Sequence, residues 1–342
     1  NFLQNTKANF IGARKVTYIV SGVLVVIGIL GVNPHIMGKL NLGIDFSGGR
    51  NYIIRFAEPV NTEEVNNALD NVFMEAKSEL ADEETFALNV ITIGDANQVR
   101  VSTNYRINDN SETLDDEIEA LLYEGCKQFL PENVTLKEFT STDINPEIGI
   151  MQSQKVGPAI ADDITQSAVW AVLAALLGIF LYVLLRFRNF SFSVGALAGL
   201  AHNTLIVLGA YALLWKVMPF SMEIDQSFIA AILTVIGYSI NDTVVIFDRV
   251  REYTGLYPKR ARKQNINDAL NQTLSRTFST SMSTLVVLIA IFCFGGETIR
   301  GFVFALIIGV IVGTYSSLCV ATPLAYDIQE ALDRRKAKKA SK

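Results

Sequence analysis

The chain has 342 residues, of which 50% are hydrophobic and only 18% are charged, and its mean hydropathy is +0.31. Soluble domains usually carry about 25% charged residues, so this composition indicates a lipid environment rather than an ordinary soluble fold. The three cysteines show neither the paired spacing of a disulfide framework nor that of a zinc site.

Six apolar runs are candidates for membrane crossing, which requires about 20 helical residues. In chain order they are residues 16–32, 164–185, 190–214, 227–247, 279–294 and 301–325. The first run could also be a secretory signal peptide, but it lacks a small-residue cleavage site and is followed directly by a domain. We therefore predict six transmembrane helices.

The distribution of basic residues predicts the orientation of these helices, because cytoplasmic loops carry an excess of Lys and Arg. Basic residues precede the first run, connect the second to the third and the fourth to the fifth, and fill the tail after the sixth. With six spans, all four segments fall on the same side. We therefore expect a multi-pass protein with both termini in the cytoplasm.

A separate, strongly acidic region lies between the first two spans, at residues 34–163. It contains nine Lys and Arg against 24 Asp and Glu, a net charge of −15, whereas the rest of the chain has a net charge of +10. We therefore divide the chain into four parts. These are the N-terminus with the first span at 1–33, an extracytoplasmic domain at 34–163, spans two to six at 164–326, and a basic cytoplasmic tail at 327–342.

The hydrophobic pattern of the acidic region predicts four strands and two helices. The predicted strands are "RNYIIRF", "FALNVITIG", "NQVRVSTNY" and "NVTLKEFT". The predicted helices are "NTEEVNNALDNVFMEAKSEL", capped by Asn61 or Thr62, and "SETLDDEIEALLYEGCKQFL", capped by Ser111. The order βαββαβ is that of a ferredoxin-like domain. We thus expect an α-helical six-span bundle with an α+β extracytoplasmic domain. The βαββαβ order does not by itself assign a function to this domain.

Asp242 is a carboxylate within the apolar fourth span, in the stretch "GYSINDTVVIFDRVRE" at 237–252. Counted from Arg249 at the cytoplasmic edge, it lies seven residues, or about 10 Å, inside the membrane. On the fifth helix, Arg276 lies eight residues, or about 12 Å, beyond Asp268. The two opposite charges are therefore expected at similar depths on consecutive helices.

Three interpretations of Asp242 and Arg276 remain open from the residues alone. In a proton relay, the distance between the two groups would control the proton affinity of the carboxyl group. In a static salt bridge the pair would only hold two helices together, and a substrate site is the third alternative. Four polar neighbours could carry water or hydrogen bonds in a relay: Ser239, Asn241, Thr280 and Ser283.

His202 is the only histidine within a span. Because imidazole titrates near neutral pH, His202 is a candidate titrating group, and a hydrogen-bonded contact between helices is an equal alternative.

The stretch "LGIDFSGGR" at 42–50 forms a second motif, just before the first predicted strand. We expect a structural role for its residues, with Asp45 holding a turn through its side chain and the glycines providing a permissive backbone. The motif residues are Gly43, Asp45, Phe46, Gly48 and Gly49.

The sequence contains no Walker loop, no G-x-S-x-G elbow and no H-E-x-x-H motif. We therefore predict neither an enzyme activity nor an ATP site, and no metal or organic cofactor.

Several motifs resemble the SecD/SecF family of protein-export membrane proteins. "LGIDFSGGR" is similar to its G-x-D-F-x-G-G signature, and "QKVGPAI" at 154–160 is similar to a second motif. "GYSINDTVVIFDRVRE", "LSRTFSTSMSTL" and "FGGETIRGFVFALIIGVIVGTYSS" resemble the later spans of the SecF members. Together the motifs cover nearly the whole chain in the expected order. The resemblance is therefore to SecF, or to the SecF half of a fused SecD–SecF protein, within the resistance–nodulation–division superfamily.

This resemblance implies a subunit that acts with SecD in the bacterial cytoplasmic (inner) membrane. It would use the proton-motive force to promote protein translocation, with protons as the coupling ion and with Asp242 and Arg276 as the proton relay. The partners expected are SecD, the SecYEG channel, the translocating preprotein, YajC, YidC and membrane lipids, and no nucleic acid. In the family the residue after the third-span His is often Asp, whereas here it is Asn203. Asp242 is thus left as the only acidic residue deep within a span.

Two alternatives from other functional classes remain. One is a proton-coupled small-molecule antiporter of the same superfamily, for which the outer region is small. The other is a non-transporting scaffold subunit of the translocon. The sequence also does not distinguish protons from sodium as the coupling ion.

Overall fold

The computed structural model describes residues 6–32, 40–79, 86–109, 111 and 113–340. The chain begins with a membrane-length helix, α1 (Phe10–Val32), and continues into an outer domain before the remaining spans. The predicted boundary between residues 33 and 34 lies outside the described residues.

The outer domain consists of a four-stranded antiparallel sheet with helices on one face. Its elements are α2 (Ile44–Ser47), β1 (Gly49–Arg55), α3 (Thr62–Glu79), β2 (Leu88–Thr92), β3 (Gln98–Thr103), α4 (Leu114–Cys126), α5 (Leu136–Thr140) and β4 (Gly149–Val156). The strand order is β2-β3-β1-β4, and β1 runs antiparallel to both of its neighbours. The predicted ferredoxin-like fold class is confirmed.

Alternation along the strands places one face of the sheet against α3 and α4. Tyr52 and Ile54 of β1 and Val99 and Val101 of β3 are buried in this core. The intervening residues point away from the helices, because successive strand side chains face opposite sides. The predicted cap of α3 is also found: the Asn61 Oδ1 atom accepts a hydrogen bond from the second backbone N–H of the helix at 2.9 Å.

Two local predictions for the outer domain are wrong. The segment "NVTLKEFT" does not form the last strand, because Thr135 and Glu138 form a capping box that starts the short helix α5. The T-x-x-E signature therefore outweighs the alternating apolar pattern of this segment. The last strand is instead β4, which pairs with β1. In addition, Thr113 rather than Ser111 occupies the cap position of α4.

Five further membrane helices follow the outer domain. They are α6 (Pro158–Phe187), α7 (Phe190–Leu214), α8 (Gln226–Leu256), α9 (Arg262–Phe294) and α10 (Glu297–Ser316), the last continuing through a π-helical turn (Ser317–Ala321) into α11 (Thr322–Ala340). The described residues thus contain six helices that are long and apolar enough to span a membrane, as predicted. All except α7 extend beyond the apolar run that predicted them.

Helices α7, α8 and α10 form the centre of the bundle, and α6 and α9 lie at its periphery. Within the most apolar stretch of each helix, 44% of the residues of α7 and of α8 are buried. The corresponding shares are 6% for α6 and 11% for α9. Small residues permit close packing in the centre. A Cβ atom on Gly195 would lie 2.5 Å from the Ala321 carbonyl oxygen, and one on Gly309 would clash with Val235.

Candidate functional site

Asp242 lies in the centre of the bundle on α8 and is only 5% exposed. Its carboxyl group interacts with the Ser281 hydroxyl of α9 and lies within electrostatic range of Arg276. The Oδ2 atom is buried, and it has no hydrogen-bond partner among the described residues. An ionised carboxylate in this position would therefore be incompletely solvated.

Hydroxyl groups of three helices line the surroundings of Asp242. Thr243, the next residue on α8, shares a hydrogen bond of 2.9 Å with Ser317 of the π-helical turn. Ser281 shares a hydrogen bond of 2.6 Å with Thr314 of α10. Because a hydroxyl can both donate and accept, these groups can reorient when the carboxyl group gains or loses a proton. The position of Ser317 depends on a π-helical turn, a feature that is frequent at functional sites.

Helix α7 adds two polar residues to the same layer. The Asn203 Nδ2 atom donates to Ser239 Oγ at 2.8 Å, and His202 Nδ1 lies 3.3 Å from Asn203 Oδ1. His202 is buried, and its Nε2 atom has no hydrogen-bond partner among the described residues. Polar contacts thus extend from His202 through Asn203 to Ser239, which lies one helical turn from Asp242.

Arg276 is not paired with Asp242 in this structure. It lies on the exposed surface of α9, and its guanidinium group forms no ion pair or hydrogen bond within the described part of the chain. The structure therefore places the two predicted relay residues near each other without bringing them into contact.

The register of α8 against α9 explains this separation. The Tyr238 hydroxyl donates to Thr284 Oγ1 at 3.1 Å, and Arg249 Nε donates to Gln272 Oε1 at 2.6 Å. Between these two pairings, Asp242 lies opposite residues 279–280, so Arg276 is about one helical turn closer to the basic loop. The expected similar depths therefore become an offset of about one turn, because Gln272, rather than Asp268, contacts Arg249.

The direction of the side chains increases the distance between the two charges. Helical side chains lean toward the N-terminus of their own helix. Since α8 and α9 are antiparallel, the side chains of Asp242 and Arg276 lean in opposite directions. The same geometry brings Ser281, which lies further along α9, to the Asp242 carboxyl group.

Three of the predicted supporting residues do not join the polar contacts around Asp242. Asn241, Thr280 and Ser283 are exposed. The hydroxyls of Thr280 and Ser283 donate to backbone carbonyls one turn earlier on α9, at 2.9 and 2.8 Å. Of the four predicted neighbours, the structure thus places only Ser239 in the buried layer.

The residues that sequence reasoning missed lie on the buried face of α9. Thr273, Thr277 and Ser281 are buried and follow each other at intervals of four residues. This spacing places three hydroxyl groups on one helix face, so it is a signal that the sequence carries. The predicted supporting residues on α9, Thr280 and Ser283, lie instead on its exposed face.

The predicted motif at residues 43–49 forms a junction between the outer domain and the bundle. The Gly43 N–H donates to the Ile224 carbonyl at 3.0 Å, and the Ile224 N–H donates to the Asn41 carbonyl at 2.8 Å. Asp45 Oδ2 accepts a hydrogen bond of 3.2 Å from the N–H of Gln226, the first residue of α8. The side chain of Asp45 therefore caps the fourth membrane helix, and among the described residues it does not hold its own turn as predicted.

The other motif residues fix the path of the chain from the bundle into β1. Phe46 packs against the apolar core of the membrane helices. Gly48 and Gly49 have φ angles of +69° and +143°, which L side chains rarely adopt. A Cβ atom on Gly49 would also lie 2.7 Å from the Thr103 carbonyl oxygen.

A charged contact between the outer domain and the bundle lies beside this junction. The Arg100 Nη2 atom of β3 donates to Glu223 Oε2 at 2.7 Å, and it lies 3.5 Å from Ser221 Oγ. The side chain of Glu223 is only 9% exposed. Sequence reasoning missed this pair because its members are 123 residues apart and neither lies in a recognised motif.

Comparisons with known families give two matches. The family described as "Protein export membrane protein SecD/SecF, C-terminal" matches residues 136–331, and the "SecD/SecF GG Motif" matches residues 38–60. The second match contains the junction motif, and the first contains Asp242 and its surroundings.

Curated relatives match over nearly their full length. The protein translocase subunit SecF of Rhodothermus marinus is 38% identical over 327 residues, which cover 95% of this chain and 94% of that protein. The protein translocase subunit SecF of Thermodesulfovibrio yellowstonii is 34% identical over 326 residues, which cover 94% and 95%.

Two solved structures share the fold. A crystal structure of SecDF from Thermus, described as a translocon-associated membrane protein, has a TM-score of 0.74 at 28% identity and is matched over 96% of this chain. SecDF in a super-membrane-facing form has a TM-score of 0.61 at 30% identity, over 100% of this chain. The chain spans only 40% and 41% of those two SecDF chains.

Proposed function

This chain belongs to the SecD/SecF family as a SecF protein translocase subunit, and we propose that it uses the proton-motive force, together with SecD, to promote protein export. It is a multi-pass, non-enzymatic transport component. The observation that carries the proposal is the arrangement at the centre of the bundle. A buried carboxyl group, Asp242, is surrounded by hydroxyl groups, while the nearest opposite charge, Arg276, stands unpaired about one helical turn away.

The energies of the two charges support a two-state element. A charged Asp or Arg at the centre of a membrane helix costs about 2.5–3.5 kcal/mol on insertion scales. Ionised Asp242 therefore requires a counter-charge, whereas the neutral acid requires only the hydroxyl groups already beside it. A proton that crosses the membrane releases about 2.3 kcal/mol per 100 mV, which is of the same size. Proton binding can thus decide whether Asp242 and Arg276 approach each other.

The separated arrangement favours a relay over a static salt bridge. A bridge that only held α8 and α9 together would be expected to be formed in the resting protein. The two helices are instead held by other contacts, including those of Tyr238 with Thr284 and of Arg249 with Gln272. Reorientation of the long Arg276 side chain, or a small shift of α9, would bring its charge to Asp242.

Helix α8 connects this site to the outer domain. Its first turn is capped by Asp45 from the junction motif and by Asp225, whose Oδ1 atom accepts from the N–H of Phe228 at 2.8 Å. A displacement of α8 that follows protonation of Asp242 would therefore reach the outer domain directly. This contact provides a route from proton movement to domain motion.

SecD is the partner that the comparisons support, since the solved relatives are SecDF chains and this chain covers about two-fifths of them. The exposed face of α9 carries four polar residues close together, Arg276, Ser279, Thr280 and Ser283. We place SecD against this face, because lipid would leave Arg276 without a polar partner. SecYEG, the preprotein, YajC, YidC and anionic lipid remain predicted partners, and both termini are placed in the cytoplasm.

Asp242→Asn in vesicles that contain SecD, the translocon and a preprotein tests the proposal. An imposed proton gradient should accelerate late translocation in the wild type and should have no effect in the variant. Asp248→Asn is the matched control, because Asp248 lies on the same helix in an exposed ion pair with Arg186 at 3.0 Å. Acceleration of the Asp242→Asn variant to the wild-type extent would contradict the relay. Acceleration by a sodium gradient alone would instead assign sodium as the coupling ion.

A further inference from the structure

The outer domain rests on the bundle with the face of its sheet that the helices leave uncovered. In β3, Val99 and Val101 point toward α3 and α4, while Arg100 points the other way and contacts Glu223. None of the four strands contains an Asp or Glu, although the region at 34–163 has a net charge of −15. The strands therefore bring no carboxylate to the face of the sheet that meets the bundle.

Arg100 meets an excess of negative charge at the junction, from Glu223 and Asp225 of the bundle and from Asp45 of the junction motif. Glu223, Asp225 and Asp45 all lie close enough to interact electrostatically, so three carboxyl groups face one guanidinium. Asp45 and Asp225 accept hydrogen bonds from backbone N–H groups at the start of α8, although burial still raises the pKa of Asp225. Glu223 has no such contact, and Arg100 is its only ion-pair partner within the described residues.

The ion pair itself is incomplete. Arg100 reaches Glu223 through Nη2 alone, and its Nε atom is buried without a hydrogen-bond partner among the described residues. A buried ion pair compensates the loss of hydration only when its geometry and remaining hydrogen bonds are good. The attraction of Arg100 is therefore insufficient to offset the desolvation of Glu223 and the repulsion from two nearby carboxylates.

A small cavity gives this cluster room for water. Its volume is about 30 Å³, which is enough for one water molecule. It is lined by Arg100, Glu223, Asp225 and, from α7, Tyr211. Helix α10 contributes Gly301 and Phe302, which carry no charge. Burial raises the pKa of Glu223, with Arg100 opposing this shift and Asp225 and Asp45 adding to it. The titratable and charged groups facing Glu223 are thus Arg100, Asp45, Asp225 and Tyr211.

We propose that Glu223 is a proton-sensitive clamp residue, so that the outer domain is held most tightly on the bundle when Glu223 is protonated. The protonated acid still accepts a hydrogen bond from Arg100 but no longer repels Asp225 and Asp45. When the domain lifts, Glu223 enters water and returns to its ordinary acidity. Because docking raises the pKa of Glu223, protons bind more strongly to the docked state, and acidification stabilises docking. This inference does not depend on the relay at Asp242.

This pH dependence of docking has the opposite sign to that expected for a simple salt bridge. If the attraction of Arg100 outweighed the desolvation of Glu223, docking would lower the pKa of Glu223 and acid would release the domain. If the outer domain lies outside the cell, as proposed above, the clamp tightens on the side that the proton-motive force acidifies. Docking would then respond to the same gradient that drives export.

Hydrogen exchange of the full chain tests the clamp, because two backbone amides cross the junction. The N–H groups of Gly43 and Ile224 bond across the junction, so we expect them to be protected from exchange only while the domain is docked. After correction for the intrinsic pH dependence of exchange, their protection in the wild type should rise between about pH 8 and about pH 5. The rise is about tenfold for each unit by which docking raises the pKa of Glu223. Amides of the β1–β3 ladder, such as that of Val101, provide the internal control for folding.

Three variants give distinct outcomes. Glu223→Gln, which mimics the protonated acid, should show higher protection than the wild type near pH 8 and a weaker pH dependence, the remainder coming from the buried Asp225. Arg100→Gln removes the counter-charge, so protection should be low near pH 8 and recover toward pH 5, giving a steeper dependence than in the wild type. Arg55→Gln should behave as wild type, because Arg55 lies on the same sheet face but bonds to Gln98.

Two outcomes would overturn the proposal. One is wild-type protection at Gly43 and Ile224 that stays constant or falls on acidification. The other is Glu223→Gln with lower protection than the wild type near neutral pH, which would show that the ion pair holds the domain. If Arg100→Gln exposes the β1–β3 ladder, Arg100→Lys replaces it, with the wild-type pH dependence expected.

Discussion

At the level of single residues, the hydroxyl groups around Asp242 determine which form of the carboxyl group the bundle can hold. Among the described side chains, only that of Ser281 forms a hydrogen bond with this carboxyl group, and Arg276 acts on it electrostatically from a greater distance. Ser281 also bonds to Thr314 of α10, so it joins α9, α8 and α10 at one point. Its loss would remove both a hydrogen bond and the link between the three helices.

We predict that Ser281→Ala weakens the acceleration of translocation by a proton gradient about fivefold. This factor corresponds to the loss of about 1 kcal/mol for one hydrogen bond to the relay carboxyl group. Ser167→Ala is the matched control, because Ser167 is an exposed serine on the peripheral helix α6. The two variants should be compared in the same vesicles. Equal activity of the two would show that Ser281 does not support the relay.

The sequence predicts which charged residues matter at this site but not how they face each other. Asp242 and Arg276 stand out because each is charged in or near an apolar run. Their relative depth depends on the register of α8 and α9, which distant contacts such as Arg249 with Gln272 determine. A register of this kind follows from three-dimensional packing, so counting residues from an assumed membrane edge could only approximate it.

At the level of elements, α9 is held in place by the segment that precedes α1. The Asn271 side chain bonds to both backbone groups of Ala8, accepting from its N–H and donating to its carbonyl at 2.8 Å each. Asn267 accepts from the N–H of Ile11 at 3.0 Å, and Ile11 is fully buried. These contacts fix the height of α9, and Arg276 lies on the same helix little more than one turn beyond Asn271.

We predict that Asn271→Leu releases the N-terminal segment and loosens the start of α9. A leucine of similar size cannot bond to the backbone of Ala8, so two hydrogen bonds are lost, each worth about 1 kcal/mol. Hydrogen exchange at residues 8–11 should become about thirtyfold faster, which corresponds to about 2 kcal/mol. Gln264→Leu, also on α9, provides the control and should leave residues 8–11 protected. Unchanged exchange at Ala8 in Asn271→Leu would contradict the anchoring role.

The limits of the apolar runs explain why some elements were predicted only in part. Helix α9 begins at Arg262, well before the apolar run at 279–294, because its first turns pack on the N-terminal segment through asparagines rather than through apolar residues. The misassigned strand "NVTLKEFT" shows the converse. Its alternating pattern is genuine, but the local capping box of Thr135 and Glu138 determines the structure.

At the level of the whole molecule, α8 is the element shared by the bundle and the outer domain. Asp242 lies 16 residues, or about 24 Å, from the first residue of α8, where Asp45 and Asp225 bind the helix N-terminus. A helix of this length transmits a displacement with little loss, since its backbone is held by continuous hydrogen bonds. The junction motif is therefore placed where motion of the bundle would enter the outer domain.

We predict that Asp45→Ala reduces gradient-driven translocation without unfolding the outer domain. The substitution removes the hydrogen bond from Asp45 to the N–H of Gln226, and with it one of the direct links between the domain and α8. The loss of such a cap is worth about 1 kcal/mol, so the acceleration by a proton gradient should fall about fivefold. Asp95→Ala is the control, because Asp95 is exposed in the β2–β3 turn, away from the bundle. If Asp45→Ala retains the full acceleration while Val101 and its neighbours stay protected from exchange, the outer domain is not driven through this contact. A partial loss with an intact β1–β3 ladder is the expected result, because the two backbone bonds between the junction motif and residue 224 remain.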